Sequence, residues 1–492
     1  MGLGGARVFQ AEHGKAEAGR VRQRRVGSSV GTSRRPGDDR PWLTAFGPLR
    51  GPGALLTWLL LFFPAWWLLG LGGLIFPMFA ALMAVSLARR RSIEVPPAFG
   101  VWLAFCAVML VSLAALGADP PGTVAGSLLG HVPGAGYRVV GYFSVTVILL
   151  YAVNLSEREF SRRRLINLLA WLGVITVGGG IFGVVAGYWE TTSLVEALLP
   201  NKVAADGFVQ SLVHPQASQV MDFLGYETPR PAAPWGYTNT WGNMLAICGP
   251  WLAVAAFCVS ERTNGRGKTR PSVRLAAAAI LAIALIPTVY SMNRGLWLNL
   301  AVAGVFIAAR LFLAGRVWPV GVLGLVGVLA TAAVLVTPLG QVVAARLDNP
   351  HSDDGRAYSS VQAVETTMRH SPVLGFGSTR KTVGSGSSIA VGPTDDCPRC
   401  GGRTLGGNGQ LWQVLFAHGF AGAFLYVGFF CRVLWRFRRD HSAVGIVGSV
   451  VMLLSLTSMF YYNALLAPLA ATMLCYALLW RNERDHAVEG MA

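Results

Sequence analysis

Three arginines stand at or just before segments that read as helices, where an anion is held best. Arg294 follows "TVYSMN" and opens the apolar run "GLWLNLAV", Arg230 precedes a second apolar run, and Arg356 opens an amphipathic stretch. Free N–H groups and the helix dipole favour an anion at a helix N-terminus, and a guanidinium adds paired donors that match phosphate. The pattern predicts binding of a phosphate group. An arginine snorkelling to a membrane interface is the alternative for each position.

A pair of cysteines, Cys397 and Cys400, has the spacing of a metal knuckle or of a short disulfide. One such pair offers two ligands, whereas a structural zinc site uses four. Asp395, Asp396 and His351 could complete a metal site. If the segment lies outside the cell, a disulfide is the favoured interpretation. We therefore expect no metal and no other cofactor.

The elements that position these residues are expected to be membrane helices. The chain has 492 residues, of which 53% are hydrophobic and 13% charged, and its mean hydropathy is +0.49. Soluble domains carry roughly 25% charged residues. Apolar runs recur at the length that crosses a bilayer, so we predict an all-α polytopic membrane protein of about 12 transmembrane helices. They are expected at 55–87 (a pair, broken at Gly70, Gly72 and Gly73), 99–116, 139–154, 165–187, 241–259, 275–290, 296–313, 318–337, 410–433, 443–460 and 464–480.

The net charge of +17 reports topology rather than nucleic-acid binding. Arg and Lys gather in alternate short loops, as expected for loops on the cytoplasmic side. The expected order is a disordered basic cytoplasmic tail (1–52), a helical domain in the plasma membrane (53–480) and a second cytoplasmic tail (481–492). The first tail is expected to contact anionic lipid; a processed targeting segment is the alternative. Two long loops, 188–240 and 338–409, are expected outside.

The second long loop carries a helix of its own. Asp353 or Asp354 is expected to cap a helix beginning near Arg356 and ending at Ser371-Pro372. The following "VGSGSSIAVGP" is typical of a mobile flap. No span is expected to place an Asp, Glu, Lys or Arg near mid-membrane, which argues against an ion-coupled transporter.

Four segments in this order resemble the O-antigen ligase / O-antigen polymerase family: "RPAAPWGYTNTWGNMLAICGPWL", "SMNRGLWLNLAV", "DDGRAYSSVQAVETTMRHSPVLGFGS" and "NGQLWQVLFAHGFAGAFL". The similarity extends over about residues 55 to 480. It implies a GT-C-like, metal-independent glycosyltransferase. Such an enzyme moves a glycan from a polyprenyl diphosphate to a sugar or lipid acceptor at the outer face of the membrane. The resemblance also implies that Arg294 and Arg356 bind the diphosphate, with Arg230 as a weaker third member.

One position departs from the family pattern. Asn408 stands where the family's catalytic histidine is expected, and an amide can orient an acceptor hydroxyl but cannot act as a general base. His418 lies deeper on the same expected helix, and His370 and Glu365 are further candidates for the base. Direct displacement with electrostatic help alone is a further alternative. The candidate catalytic residues are Arg294, Arg356, Asn408 and His418. A flippase or transporter of lipid-linked saccharide and a non-catalytic membrane scaffold are the rival functions.

Overall fold

A computed structural model of the chain describes residues 46–124, 126–205, 207–222, 227–258, 271–336, 340–341, 343–344, 352–382 and 404–489. Most of these residues are helical. The predicted flap, the cysteine pair Cys397 and Cys400, and His351, Asp395 and Asp396 lie outside the described residues, as does most of the first tail.

The helices follow one another along the whole described chain, with two small antiparallel sheets between them. In chain order they are α1 (Ala54–Leu61), α2 (Phe63–Leu68), α3 (Ile75–Ala88), α4 (Phe99–Ser112), α5 (Leu128–Asn154), α6 (Arg162–Val185), α7 (Leu194–Leu198), α8 (Asn201–Ala204), α9 (Gly207–Val213), α10 (Thr238–Ala253), α11 (Pro271–Ile283), α12 (Leu285–Tyr290), α13 (Arg294–Leu313), α14 (Val317–Val336), α15 (Ser352–His370), α16 (Gln410–Arg436), α17 (Ala443–Ser458) and α18 (Ala467–Glu489). The strands are β1 (Ser218–Asp222) paired with β2 (Glu227–Pro231), and β3 (Arg380–Lys381) paired with β4 (Thr404–Leu405).

Within the described ranges, seven helices are long and apolar enough to cross a membrane. They are Leu128–Asn154, Arg162–Val185, Thr238–Cys258, Pro271–Tyr290, Arg294–Leu313, Val317–Val336 and Gln410–Arg436. Three shorter apolar helices, Ile75–Ala88, Phe99–Ala115 and Ala443–Ser458, lie where further crossings were predicted. A helical membrane protein is therefore compatible with the structure, while the number of twelve crossings stays a prediction.

Two helix boundaries differ from the prediction. Ser127 accepts a hydrogen bond from the backbone N–H of Gly130, so α5 begins at Leu128 rather than at 139. This earlier start places Arg138 inside a membrane-length helix. The described part of α15 begins at Ser352, so the backbone of Asp353 and Asp354 belongs to the helix itself.

The core forms where α10 packs against α6, α16 against α4, and α5 against both α3 and α18. Its centre is aromatic: Trp102, Phe105 and Tyr142 are fully buried, and their rings contact that of Tyr426 or one another. Lipid supplies little hydrophobic drive for helix association, so close packing of this kind must hold a membrane bundle together. The stacked helices bring distant loops to two ends of the bundle.

The two ends differ in chemistry. One, here called the basic end, gathers segments 89–98, 155–161, 437–442 and 481–484, which are joined by ion pairs such as Arg90 to Glu159 at 3.0 Å and Arg481 to Glu157 at 2.9 Å. The other, the loop end, gathers 69–74, 113–124, 186–222, 227–237, 371–382, 404–409 and 459–466. Of the residues singled out for chemistry, Arg230, Arg294 and Asn408 lie toward the loop end.

Candidate functional site

A cleft of about 340 Å³ opens at the loop end, within the usual size range of ligand sites. Four regions of the chain form its walls: the first turns of α5, the segment from α9 to the start of α10, the start of α16, and the turn before α18. Its lining is mostly polar: Gly134, Tyr137, Arg138, Ser211, Leu212, Gln219, Tyr237, Asn239, Thr240, Gly407, Asn408, Gln413, Tyr461, Asn463 and Leu465.

Arg138 is the charged group of this cleft. It is 9% exposed, and its guanidinium donates to Ser378 Oγ at 2.8 Å, Thr379 Oγ1 at 2.7 Å and the carbonyl oxygen of Gly134 at 3.1 Å. All three acceptors are neutral. Arg138 Nε has no hydrogen-bond partner, and none of the carboxylates that the structure describes pairs with this arginine. A buried cation without a counter-ion is costly, so an anionic ligand in the cleft would stabilise it.

The segment that carries Ser378 and Thr379 is fixed by a second buried arginine. Arg380 donates to the carbonyl oxygens of Leu116, Ala118 and Phe376, and its Nε lies 3.7 Å from Asp119 Oδ1. Burial lowers the pKa of Arg380, and the Asp119 carboxylate opposes that shift. Arg380 therefore has a positioning role: it clamps one loop to another so that two hydroxyls meet Arg138.

Asn408 also lines the cleft, at the entrance to α16. Its neighbour Gly407 accepts a 2.9 Å hydrogen bond from the Asn463 side chain, and Gln410 accepts one of 2.9 Å from the Ala464 N–H. Gln410 also donates to the Tyr142 hydroxyl at 2.7 Å. These bonds hold the start of α16 rigidly against the turn before α18. Gln413 Oε1, one turn further along α16, is buried without a partner and is available to a ligand.

Asn293 is the N-cap of α13 and a junction between three segments. Its side-chain oxygen accepts from the Leu296 N–H at 3.3 Å and from the Tyr462 hydroxyl at 2.6 Å, and its amide donates to the Thr238 carbonyl oxygen at 3.3 Å. The residue is 4% exposed. The polar break in the apolar run around 293 is therefore a structural cap that ties α13 to the start of α10 and to the turn before α18.

Arg294 is half-buried in the first turn of α13 and is not among the residues that line the cleft. It stands next to Gly295, whose position leaves no room for a side chain because a Cβ there would lie 2.7 Å from the Tyr461 ring. Tyr461 is a wall of the cleft, and its hydroxyl donates to Asn299 Oδ1 at 2.6 Å. Burial raises the pKa of Tyr461 to about 12, so this donor stays protonated. Arg294 is thus the sequence neighbour of a glycine that packs against a wall of the cleft.

The other predicted arginines are placed differently. Arg230, in β2, is 5% exposed and its Nε donates to the carbonyl oxygen of Ser291 at 2.6 Å, so it braces the turn before α13. Its cross-strand partner Gln219, rather than Arg230 itself, lines the cleft. The backbone of Arg356 belongs to α15, and its side chain lies outside the described part of the chain. Their predicted diphosphate contacts stay predictions.

His418 lies in the core, away from the cleft. It is 1% exposed, its Nδ1 is 2.7 Å from Ser112 Oγ, and the rings of Phe105 and Tyr142 face it. His370 and Glu365 are exposed on α15, and neither lines the cleft. Of the candidates named from sequence, Asn408 is the one that the cleft contains. Among the described residues no cluster of three or more His, Cys, Asp or Glu could hold a metal ion.

Sequence reasoning missed Arg138. The available signal was an arginine in "GAGYRVVGYF", directly before a strongly apolar run, but Gly, Pro and His in the preceding residues hid the first turns of the helix. Nothing local to Arg138 indicates that Ser378 and Thr379 are its partners.

Neither the known protein-family models nor the curated proteins give a match to this chain. Function is therefore inferred from the chemistry of the cleft and from the four motifs quoted above.

Proposed function

We propose that the protein transfers or polymerises a glycan that it takes from a polyprenyl-diphosphate carrier at the outer face of the plasma membrane. One observation carries the proposal: Arg138, a buried guanidinium that pairs with no described carboxylate, lines a polar cleft at the loop end of a membrane-length helix. A diphosphate supplies the missing negative charge, and a polyprenyl chain would remain in lipid beside the helices.

The placement of the residues assigns each of them a role in the transfer. In the transfer, an acceptor hydroxyl oxygen attacks the anomeric carbon, and the bond from that carbon to the diphosphate oxygen breaks. Negative charge grows on the leaving diphosphate, where the prepositioned guanidinium of Arg138 stabilises it. Asn408 and Gln413, which line the same cleft, would hydrogen-bond sugar hydroxyls. Arg294, which does not line the cleft, retains its expected part in diphosphate binding.

The same proposal includes the topology. About twelve crossings in a GT-C-like arrangement would place the loop end outside and both termini in the cytoplasm. The support is the chemistry of the basic end, where Arg90, Arg481 and Arg484 gather, as positively charged loops do on the cytoplasmic side. Anionic lipid headgroups would contact this end.

The test is a transfer assay on purified protein in lipid vesicles, with an undecaprenyl-diphosphate-linked oligosaccharide as donor. Wild type should transfer or elongate the glycan, and Arg138→Gln should abolish the reaction. Arg138→Lys keeps the charge without the paired donors and should retain a small fraction. Arg438→Gln is the matched control, because Arg438 is exposed at the basic end and lies 3.9 Å from the Trp435 ring.

A binding measurement tests the diphosphate site independently of the transfer reaction. Wild type should bind undecaprenyl diphosphate roughly tenfold to a hundredfold more tightly than undecaprenol, the loss expected for charge-assisted hydrogen bonds. Arg138→Gln should remove that preference. Equal binding of the two lipids by wild type, or full transfer activity in Arg138→Gln, would overturn the proposal.

A flippase of lipid-linked saccharide is the second candidate. Arg138 favours it to a degree, because an ionisable group inside a membrane helix often marks a substrate path. A flippase would move a fluorescent lipid-linked saccharide between vesicle leaflets without joining it to any acceptor. Glycan transfer by the purified protein distinguishes the two functions.

A further inference from the structure

A histidine–glutamate pair lies beside the cleft, in the segment between α6 and α10. His214 directly follows α9, and its Nδ1 is 2.8 Å from Glu196 Oε2. Its Nε2 lies 3.6 Å from Glu190 Oε2, which is beyond hydrogen-bond reach. The Glu190 side chain is 69% exposed, whereas that of Glu196 is only 10% exposed. These two carboxylates are the described ionisable groups within 4 Å of the imidazole.

Glu196 is held in place before it meets His214. Its side chain accepts from the Ser193 N–H at 3.3 Å, and its own N–H donates to Ser193 Oγ at 3.1 Å, so the two residues form the capping box of α7. Ser193 is 2% exposed and fits against Gly70, where a Cβ would meet its Oγ at 2.1 Å. Glu196 is thus a fixed acceptor. In the tautomer that carries its hydrogen on Nδ1, His214 would donate to Glu196, and Nε2 would hold the lone pair.

His214 lines a side pocket of about 100 Å³ that adjoins the cleft. Aromatic rings of Phe63, Trp67, Phe76 and Trp235 form much of its wall. The side pocket and the cleft are neighbours, because they share six lining residues: Tyr137, Ser211, Leu212, Tyr237, Thr240 and Leu465. Aromatic faces suit the C–H faces of a pyranose ring, whose edges carry the hydroxyls.

We infer that the side pocket receives the acceptor sugar and that His214 is the general base of the transfer, with Glu196 as its positioning residue. The inference rests on the proposed function, which assigns the donor diphosphate to Arg138 in the cleft. His214 Nε2 removes the proton of the acceptor hydroxyl as its oxygen bonds to the anomeric carbon. The electron pair of the broken carbon–oxygen bond leaves with the diphosphate. The imidazolium, stabilised by Glu196, then releases its proton to solvent.

The His214–Glu196 pair also explains how transfer could proceed with Asn408 at the position where the family pattern has a histidine. An amide at the cleft wall orients a hydroxyl, and a base on a different segment takes the proton. Glu190, being exposed, can swing away when the acceptor enters and can serve as an exit for the proton.

The test uses full-length protein in lipid with the undecaprenyl-diphosphate oligosaccharide as donor, under single-turnover conditions. His214→Gln should lower the transfer rate about 10²- to 10⁴-fold, the usual contribution of a general base. Binding of undecaprenyl diphosphate should stay within about twofold of wild type, because Arg138 is intact. His441→Gln, which changes an exposed histidine at the basic end, is the control.

Two readouts separate a base from a residue that merely braces the loop. Wild-type transfer should fall on the acid side of its pH profile, and this limb should be absent from the residual activity of His214→Gln. Imidazole in the buffer should restore part of the activity of His214→Ala. Glu196→Gln should show a transfer rate between those of wild type and His214→Gln.

Unchanged transfer in His214→Gln, or loss of activity accompanied by equal loss of donor binding and no imidazole rescue, would overturn the inference and leave the proposed function standing. If wild type binds the diphosphate but transfers no glycan, the proposed function fails and this inference fails with it.

Discussion

Arg138 and Ser378 are 240 positions apart in the chain, yet their side chains form a 2.8 Å hydrogen bond at the wall of the cleft. The bond joins a membrane-length helix to the loop that follows α15. It makes the orientation of the buried cation depend on a loop that Arg380 and Asp119 hold in place.

Removing the Ser378 hydroxyl should reduce transfer without abolishing it. In Ser378→Ala the guanidinium keeps Thr379 and the Gly134 carbonyl as acceptors, so we expect a loss of several-fold, corresponding to about 1 kcal/mol for one hydrogen bond. In a double-mutant cycle with Arg138→Lys, which should retain measurable transfer, the coupling energy should be about 0.5–3 kcal/mol, as for residues in contact. Ser455→Ala is the control, since Ser455 donates to the Val451 carbonyl within α17. Additive losses would show that Ser378 acts independently of Arg138.

Asn293→Ala should destabilise the protein more than a surface change would. It removes the N-cap of α13, which is worth about 0.5–2 kcal/mol, and leaves the buried Tyr462 hydroxyl without its acceptor. Thermal unfolding in lipid nanodiscs should show a lower midpoint. Asn293→Asp keeps an acceptor for Leu296 and Tyr462 and loses only the donor to Thr238. Its unfolding midpoint should therefore lie between those of wild type and Asn293→Ala. Equal midpoints for wild type and Asn293→Ala would contradict the capping role.

Two glycines of α13 should respond oppositely to alanine. At Gly295 a Cβ would lie 2.7 Å from the Tyr461 ring and 3.0 Å from the Tyr462 hydroxyl, so Gly295→Ala should displace a wall of the cleft at a cost of about 1–3 kcal/mol. At Gly304 nothing lies within 4 Å of the new Cβ, and Gly304→Ala should be neutral or slightly stabilising. Unfolding midpoints and binding of undecaprenyl diphosphate measure both variants. Normal binding in Gly295→Ala would mean that Tyr461 is not needed for the ligand.

Asp119 should make the loop end sensitive to acid. The Gly126 N–H, and then His131 and Arg380, hold the pKa of Asp119 below its ordinary value of 3.8. Because the folded state favours the carboxylate, its stabilising contribution is complete above the ordinary value and disappears as the pH falls through the lowered pKa. Asp119→Asn should therefore be less stable than wild type at pH 7, and the difference should vanish at the acid end of a pH series. A stability difference between wild type and Asp119→Asn that grows toward low pH would contradict this prediction.

The two ends of the bundle should be accessible from opposite sides of the membrane. Glu190→Cys places a thiol at the exposed loop end, and Arg438→Cys places one at the exposed basic end. A membrane-impermeant maleimide should label the first in intact cells and the second only after permeabilisation. The wild-type protein provides the background, because Cys258 and Cys431 are also exposed. Labelling of both thiols in intact cells would exclude the proposed orientation.

Most of the helices, and some of their ends, could be predicted from the amino-acid sequence. Apolar runs, the glycine break at 70–73 and the Pro372 stop are local signals, and helix formation depends on neighbours within a turn or two. The amphipathic stretch that Arg356 opens likewise predicted a helix in the loop, which the structure contains as α15. The start of α5 was wrong because a single serine cap outweighs the Gly, Pro and His that follow it.

Which residues form the cleft could not be predicted from the sequence and follows from how the helices pack. The cleft brings together Arg138, Asn408, Gln413 and Tyr461, because α5 and α16 pack around the same core. Hydropathy carries no information on the order in which helices pack. The same holds for His214 and Glu196, whose meeting depends on how α7 and α9 fold back on each other. Long-range contacts are set by side-chain complementarity between helices. The sequence therefore showed Arg138 but not the side chains that surround it.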